Sequence, residues 1–302
     1  MDFELSVAQK DLLERVEAVL PDPTAAPTFP AGLDKELFAK LREGGFLDLT
    51  RTGGGAGVLD SALVIERVSS AGGIAPVGVH ALVVPLLFGP GSTGIAAIQD
   101  IDSDGPYRYA GDATILIRYE DDRAKAYRIS PERSSAVRAN YVYPFAMPGP
   151  VEGPATAVAR ASDVRRRQRV GIAAECVGAM DAALNQLVGY LSQREQFGCK
   201  LGAFQAVQHR LAELSILLES SRWLSREAAW LDDDETAALA AAFCTKAARR
   251  LCWESHQLTG ARGFTVDFGL YRHTLRLQAL SVEAGTTQAH ADDAARMAWA
   301  DA

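Results

Sequence analysis

The stretch RVGIAAECVGAMDAALNQLVGYLSQ, residues 169–193, decides the fold, because its large apolar residues recur at the spacing of one helix face. Five of them share a single stripe: Val177, Met180, Leu184, Leu187 and Leu191. A helix of this length with a continuous apolar stripe has to bury that stripe against other helices. The sequence therefore predicts a long core helix that opens a helical bundle.

Two further helical patterns follow. Residues 204–231 repeat the stripe through Phe204, Val207, Leu211, Leu214 and Leu218, and a third helix is predicted over about 235–258. The acidic run Asp232–Glu235 suits a helix N-terminus, so we interpret it as a solvated cap rather than a metal site. Three long amphipathic helices with short connections predict a C-terminal four-helix-type bundle over residues 164–302.

Residues 1–100 predict an N-terminal helical domain. LDKELFAKLREGGFLDL (33–49) indicates a helix ended by Gly44-Gly45, and SALVIERVSS (61–70) indicates another. The loop GGGAG (53–57) has the glycines of a phosphate cradle, but no strand precedes it and no GK[ST] follows. A plain surface loop is the expected outcome there.

Residues 101–163 show the alternating pattern of strands rather than the spacing of helices. ATILIRYE (113–120) and AKAYRIS (124–130) alternate apolar and polar residues, and ATAVARAS (155–162) is compatible with a third strand. This is a small β module, too short for an independent catalytic sheet domain. The predicted fold class is mainly α, with a reduced β domain between two helical regions.

Composition narrows the function. The formal net charge of -7 argues against unaided binding to nucleic acid or anionic membranes, and the longest apolar runs are too short to span a bilayer. The N-terminus carries acidic residues and no apolar signal core, so a cytoplasmic protein is expected. The four cysteines lack CxxC spacing and are expected to be free thiols: Cys176, Cys199, Cys244 and Cys252. The histidines show no ligand pairing, so no metal site is expected: His209, His256, His273 and His290.

Three motifs occur in order within the bundle region. Residues 194–208 read REQFGCKLGAFQAVQ, residues 257–265 read QLTGARGFT, and residues 285–288 read GTTQ. These segments resemble the R-x-x-F-G-x-x-[IL]-x-x-F-Q, Q-x-x-G-G-x-G-[YF]-T and E-G-T-x-Q motifs of the acyl-CoA dehydrogenase family. The N-terminal segments MDFELSVAQKDLL and DSALVIERVSSAGGIAPV also look like the family's helical domain.

The resemblance implies that FAD is bound across a subunit interface, with one bundle serving the neighbour's flavin. By that resemblance Arg194 contacts the pyrophosphate, since a guanidinium offers fixed, always-charged donors to phosphate oxygens. Phe197 would be an apolar platform for the flavin or its adenosine, and Gln257 a hydrogen-bonding partner. The alternative is that neither residue binds a cofactor: Arg194 would be an ordinary surface charge and Phe197 an ordinary core aromatic residue.

The remaining cofactor-binding candidates are small or polar. Gly260 and Gly263 would let the backbone approach the cofactor closely. Thr286 and Gln288 either touch flavin or only shape a loop.

The chain departs from the family at the catalytic base. In most members the carboxylate that removes the α-proton immediately precedes Gly-Thr, where this chain has Ala284, with Glu283 one residue earlier. One residue of chain spans about 3.3–3.6 Å, and a misplacement of roughly 1 Å already costs about a hundredfold in rate. Members that carry the base on the first bundle helix would have it at Gln168, which is not a useful proton acceptor. No catalytic residue is therefore assigned.

The middle region departs as well. The family's [ST]-x-P-x-A-G-S-D loop and its Trp-Ile-[ST] strand have no counterpart in residues 101–163. The tryptophans all lie later: Trp223, Trp230, Trp253 and Trp299. A flavin wall and a base are thus both missing from the sequence.

The leading hypothesis is a non-catalytic subunit of a heteromeric, α2β2 acyl-CoA dehydrogenase. Its catalytic partner would hold the acyl-CoA, and electron-transfer flavoprotein would accept the electrons. Two-gene dehydrogenases of this kind handle bulky esters such as sterol side-chain CoA thioesters. Two alternatives stay open: a self-sufficient homo-oligomeric dehydrogenase that uses Glu283 as its base, and a flavin-free scaffold protein.

Overall fold

The computed structural model describes residues 4–21, 32–51, 57–88, 94–99, 105–137 and 142–299. The α-helices in these ranges are α1 (Val7–Glu17), α2 (Lys35–Glu43), α3 (Val58–Ser70), α4 (Val84–Leu87), α5 (Ala161–Gln193), α6 (Gln205–Leu231), α7 (Asp234–Thr259), α8 (Tyr271–Leu280) and α9 (Thr287–Ala298). The strands are β1 (Ala96–Ile98), β2 (Tyr107–Arg108), β3 (Ile115–Glu120), β4 (Arg123–Arg128), β5 (Ser135–Ala136), β6 (Phe145–Met147), β7 (Glu152–Arg160), β8 (Glu195–Gln196) and β9 (Cys199–Lys200). The predicted glycine loop at 53–57 lies outside the described residues except for Gly57.

Helix α5 is the axis of the molecule. Its 33 residues span about 50 Å at 1.5 Å per residue, and it packs against α3, α6, α7 and α8. The stripe predicted from Val177 to Leu191 is buried in the main core, which confirms the prediction. Burial on several sides explains why α5 also carries interior polar residues such as Gln168 and Glu175.

The turn between α6 and α7 uses the acidic run as predicted. Asp233 caps α7 by accepting a hydrogen bond from the backbone N–H of Thr236 at 2.9 Å. Asp232 adopts a left-handed conformation and pairs with Arg166 and Arg167 at 3.0 and 2.7 Å. The run therefore ends one helix, starts the next and holds both against α5.

The predicted strands are present in the middle of the chain. β3 and β4 form an antiparallel hairpin, β1 adds parallel to β3, and β7 adds antiparallel to β4. A second small sheet has the order β2-β6-β5. β2 matters most for the site, because it places Arg108 beside α5.

The described cysteines are free thiols, as predicted. Burial raises the pKa of Cys244 and of Cys252 to about 12, which leaves both thiols protonated and unreactive at neutral pH. None of the described helices is long and apolar enough to cross a membrane.

Helix α3 packs tightly against α5 at Gly178. A Cβ there would lie 2.1 Å from the carbonyl oxygen of Glu66 and 2.8 Å from the backbone nitrogen of Ser70. Because both atoms belong to backbone, neither can move aside without separating the helices. Gly189, on the same helix, has no atom within 4 Å of the corresponding position.

We expect Gly178→Ala to lower the free energy of unfolding by about 1–3 kcal/mol, the usual cost of overpacking. Gly189→Ala should raise it by roughly 0.5–1 kcal/mol, because alanine suits an open helical position better than glycine. Urea titrations of the two variants check this matched pair. Equal effects of the two substitutions would contradict the packing described here.

Candidate functional site

An open groove of about 1420 Å³ lies between α7 and the segment formed by α8, α9 and their connecting loop. One face of α7 lines it at intervals of three or four residues, which is the spacing that aligns side chains along a helix. The residues on this face are Lys246, Arg249, Trp253, Gln257 and Gly260. The opposite wall carries Gln278, Val282, Thr286 and Gln288.

Four of the seven predicted cofactor-binding residues therefore meet in one place: Gln257, Gly260, Thr286 and Gln288. Helix α7 ends at Gly260, which has φ +57° and no atom within 4 Å of a Cβ position. That conformation favours glycine and leaves the backbone open to the groove. The groove thus brings together residues from two motifs that are about thirty positions apart.

Thr286 and Gln288 also have local roles. The Thr286 hydroxyl caps α9 by accepting from the backbone N–H of Ala289 at 3.2 Å. The Gln288 amide donates to Asp292 at 2.7 Å. Both side chains are nevertheless exposed on the groove wall, so these contacts leave them accessible to a ligand.

Gly263 differs from the other predicted glycine. It is buried, and a Cβ there would lie 2.1 Å from the hydroxyl oxygen of Thr259 and 3.2 Å from Nδ1 of His256. Packing inside the chain therefore already requires a glycine at this position. Burial lowers the pKa of His256, whose ring stacks on Phe264 with centroids 4.5 Å apart.

Arg194 and Phe197 lie apart from the groove-lining residues, on the hairpin of β8 and β9. Phe197 and Gly198 form its two-residue turn with φ +56° and +81°, the signs of a type I′ turn. The Phe197 side chain is 90% exposed, and its ring meets Phe204 edge-on at 6.2 Å. A bulky aromatic residue held exposed in a left-handed conformation is costly, which marks the hairpin as a candidate binding element.

The groove is positively charged in an acidic chain. Its lining residues include the cations Lys246 and Arg249 and no aspartate or glutamate. Among the described residues neither cation, nor Arg194, takes part in an ion pair at 4.0 Å or less. Such a surface attracts an anion, while the exposed ring of Trp253 offers an aromatic face beside it.

Glu283 lies in a second, buried cluster. Its carboxylate contacts Arg108 through Nε at 2.6 Å and through Nη2 at 2.9 Å. Arg108 also donates to Glu175 through Nη1 at 2.8 Å. The three side chains border a cavity of about 220 Å³ between β2, α5 and the loop after α8.

The Tyr143 side chain and a second guanidinium, that of Arg276, complete this cluster. The Tyr143 hydroxyl donates to Glu175 at 3.0 Å, and its ring lies between Arg108 and Arg276 at 4.5 and 5.1 Å. Burial alone would lower the pKa of Arg108, but the carboxylates of Glu175 and Glu283 raise it well above its ordinary value. Burial raises the pKa of Tyr143 well above its ordinary range, so the Tyr143 hydroxyl stays protonated. The cluster therefore balances two cations against two carboxylates.

The positions expected for a catalytic base do not supply one. Ala284 is buried with φ +56°, and Gln168 is buried on α5, where its amide oxygen accepts from the Tyr119 hydroxyl at 2.8 Å. Glu283 has both carboxylate oxygens on one guanidinium. Taking a substrate proton would disrupt that ion pair, so its geometry opposes a role as base.

The histidines have structural surroundings. Burial lowers the pKa of His273 to about 3 and that of His290 to about 4. Within the described ranges no three His, Cys, Asp or Glu side chains are grouped so as to hold a metal ion.

Sequence reasoning missed Arg108, Glu175 and Tyr143, because no motif or periodicity links them to Glu283. It also missed Lys246, Arg249 and Trp253. Their spacing from Gln257 along a predicted helix was a usable signal, since residues at intervals of three and four share a face.

Residues 160–298 match the family described as acyl-CoA dehydrogenase, C-terminal domain. A probable acyl-CoA dehydrogenase of Bacillus subtilis (strain 168), YngJ, is 32% identical over 125 residues, which are 40% of this chain and 33% of that protein. The chain thus spans about a third of the length of the curated relatives it matches.

Solved structures share the fold over nearly the whole chain. PigA with FAD and proline has a TM-score of 0.80 at 20% identity, covering 99% of each chain. The ChsE4-ChsE5 complex from Mycobacterium tuberculosis has a TM-score of 0.77 at 19% identity, covering 100% of each chain.

The strained turn gives a direct test of the hairpin geometry. We expect Phe197→Asn to raise the free energy of unfolding by about 1 kcal/mol, because asparagine followed by glycine suits the two left-handed positions. The loss of one exposed edge contact with Phe204 should not offset that gain. Urea unfolding measures it, and a destabilised variant would show that the Phe197 ring stabilises the fold.

Proposed function

Because residues 160–298 match the acyl-CoA dehydrogenase C-terminal domain, we propose that this chain is the non-catalytic subunit of a heteromeric FAD-dependent acyl-CoA dehydrogenase. One observation carries the proposal. The groove that would receive the nucleotide end of a flavin is open and lined by the motif residues, whereas Glu283, the carboxylate nearest the base position, is held by Arg108.

The described residues fit the adenosine diphosphate half of FAD. A diphosphate needs positive charge and hydrogen-bond donors. Lys246, Arg249 and Gln257 offer these in the groove, and Arg194 offers a further guanidinium beside the separate β8–β9 hairpin. An adenine ring needs flat apolar contacts, which Phe197 and Trp253 present to solvent. The open backbone at Gly260 permits close approach of a ligand.

When bound, FAD would supply the hydride acceptor for the β-carbon of an acyl thioester, and a carboxylate would have to remove the α-proton. In our proposal this chain takes no part in that proton transfer. Its residues hold the nucleotide end of the cofactor, and the hairpin carrying Phe197 shields that end from water. The base and the wall around the flavin ring come from the partner subunit.

This division of roles between two kinds of subunit implies an α2β2 assembly in which each flavin lies at an interface between unlike subunits. The fold shared with one chain of the heteromeric ChsE4-ChsE5 complex supports such a partner. The substrate class we propose is a bulky acyl-CoA ester, including sterol side-chain esters, and electron-transfer flavoprotein is the proposed acceptor. Cytoplasmic location is part of the same proposal.

Two observations oppose the alternatives. A homo-oligomeric enzyme that uses Glu283 as base would have to break a buried ion pair that also involves Glu175. A flavin-free scaffold would have no need of an aromatic residue held exposed in a left-handed turn three positions after Arg194, which forms no ion pair within the described part of the chain. Neither alternative explains the groove and the buried cluster together.

The proposal predicts that Arg194→Ala weakens FAD binding in the complex by about tenfold to a hundredfold, the equivalent of a lost charge-assisted bond of roughly 1.5–3 kcal/mol. Arg194→Lys should restore only part of the loss, because an ammonium keeps the charge without the planar fork. The measurement is FAD retained per heterodimer after gel filtration, with circular dichroism as the folding check.

Arg128→Ala is the matched control, since Arg128 is also exposed and lies on β4. Full retention of flavin and activity in Arg194→Ala would remove the main support for a shared site.

A further inference from the structure

The loop between α8 and α9 joins the buried cluster to the groove. Glu283 lies at its buried end, and Thr286 stands on the groove wall three residues later. Val282 lines both cavities, so the two spaces share this loop as their common wall. A change in the contacts of Glu283 can therefore shift the groove wall, because only Ala284 and Gly285 separate Glu283 from Thr286.

The residues between these two points have an unusual backbone. Ala284 and Gly285 have φ values of +56° and +107°, and the left-handed region is uncommon for a residue with a Cβ. Ala284 is buried against the main core, so the turn is pressed inward rather than free in solvent. A local cost of this kind persists only where the surroundings fix the conformation.

Both ends of the turn are fixed. At one end the Glu283 carboxylate accepts a hydrogen bond from Nη2 of Arg108 at 2.9 Å, and its other oxygen lies 2.6 Å from Nε of the same guanidinium as an ion-pair contact. At the other end the Thr287 hydroxyl lies 2.9 Å from the hydroxyl of Thr245 on α7. Of these two attachments the ion pair is the stronger, because a charge-assisted hydrogen bond is stronger than one between two hydroxyls.

We propose that Glu283 is a positioning residue: its ion pair with Arg108 holds the Ala284–Gly285 turn and thereby sets where Thr286 and Gln288 stand in the groove. The carboxylate next to the vacant base position thus serves the neighbouring cofactor site. This inference rests on the proposed function of the groove as a nucleotide site for FAD.

The test is Glu283→Gln in the complex, with FAD as the probe. We expect the dissociation constant for FAD to rise about tenfold, in line with the loss of one charged contact. Turnover per bound FAD and the pH dependence of turnover should stay unchanged. A base would behave differently, since its removal lowers turnover about 10²–10⁴-fold and alters one limb of the pH profile.

Arg108→Lys keeps the buried charge, so it avoids leaving two carboxylates unpaired, but it loses the planar guanidinium that donates to both Glu175 and Glu283. Arg108→Lys should weaken FAD binding as Glu283→Gln does. The variant that combines both substitutions should bind FAD no more weakly than the weaker-binding of the two single variants, because both substitutions remove the same interaction.

Hydrogen exchange in the complex provides a readout that does not need flavin. Amides of residues 283–290 should exchange faster in Glu283→Gln, while α5 and α6 remain protected. Unchanged exchange and unchanged FAD affinity would overturn the inference, and so would a loss of turnover per bound FAD. A wild-type complex without FAD would instead defeat the proposed function, and the exchange result would still decide whether Glu283 positions the turn.

Discussion

The ion pairs of Arg108 with Glu175 and Glu283 are the constraint on which the arrangement of this molecule depends. Arg108 comes from β2, Glu175 from the middle of α5 and Glu283 from the loop after α8. Burying ionised groups is expensive unless their charges and hydrogen bonds are matched. Here Arg276 supplies the second cation and donates to the backbone carbonyls of Ser69, Gly72 and Gly73. The β module, the core helix and the end of α3 are thereby fixed together.

This cluster separates two properties that a complete dehydrogenase site combines. A catalytic carboxylate must be free to take up the substrate proton. The Glu283 carboxylate is instead engaged by the Arg108 guanidinium. The groove a few residues away keeps cations, an aromatic surface and open backbone, which suit a bound nucleotide. In our proposal the same loop therefore combines a lost catalytic role with a retained binding role.

Much of the helical architecture could be predicted from the sequence, because an amphipathic helix has a recognisable local spacing of apolar residues. The stripe from Val177 to Leu191 and the caps around Asp233 need no knowledge of the fold. The motif residues Gln257 and Thr286 could likewise be placed in one site by resemblance, and the structure brings them to one groove.

The buried cluster could not be predicted. Arg108 and Glu283 are 175 positions apart, and Arg276 reaches back over about two hundred residues to the end of α3. No sequence periodicity or motif marks the Arg108–Glu283 pair or the contacts of Arg276 with the end of α3. The sequence placed Glu283 one residue from the base position, but its partner is visible only in three dimensions. Gly263 illustrates the same limit, since close contact with Thr259 already requires a glycine there, and no sequence pattern shows that contact.

The central claim is that this chain carries half of a flavin site and needs a partner for the other half. The most direct measurement is the flavin content of the chain purified alone and after co-expression with a longer acyl-CoA dehydrogenase subunit encoded beside it, read from visible absorbance and released FAD. Our account predicts a nearly colourless protein alone and stoichiometric FAD in the co-expressed complex. A yellow homo-oligomer with one FAD per chain and acyl-CoA turnover of its own would contradict it.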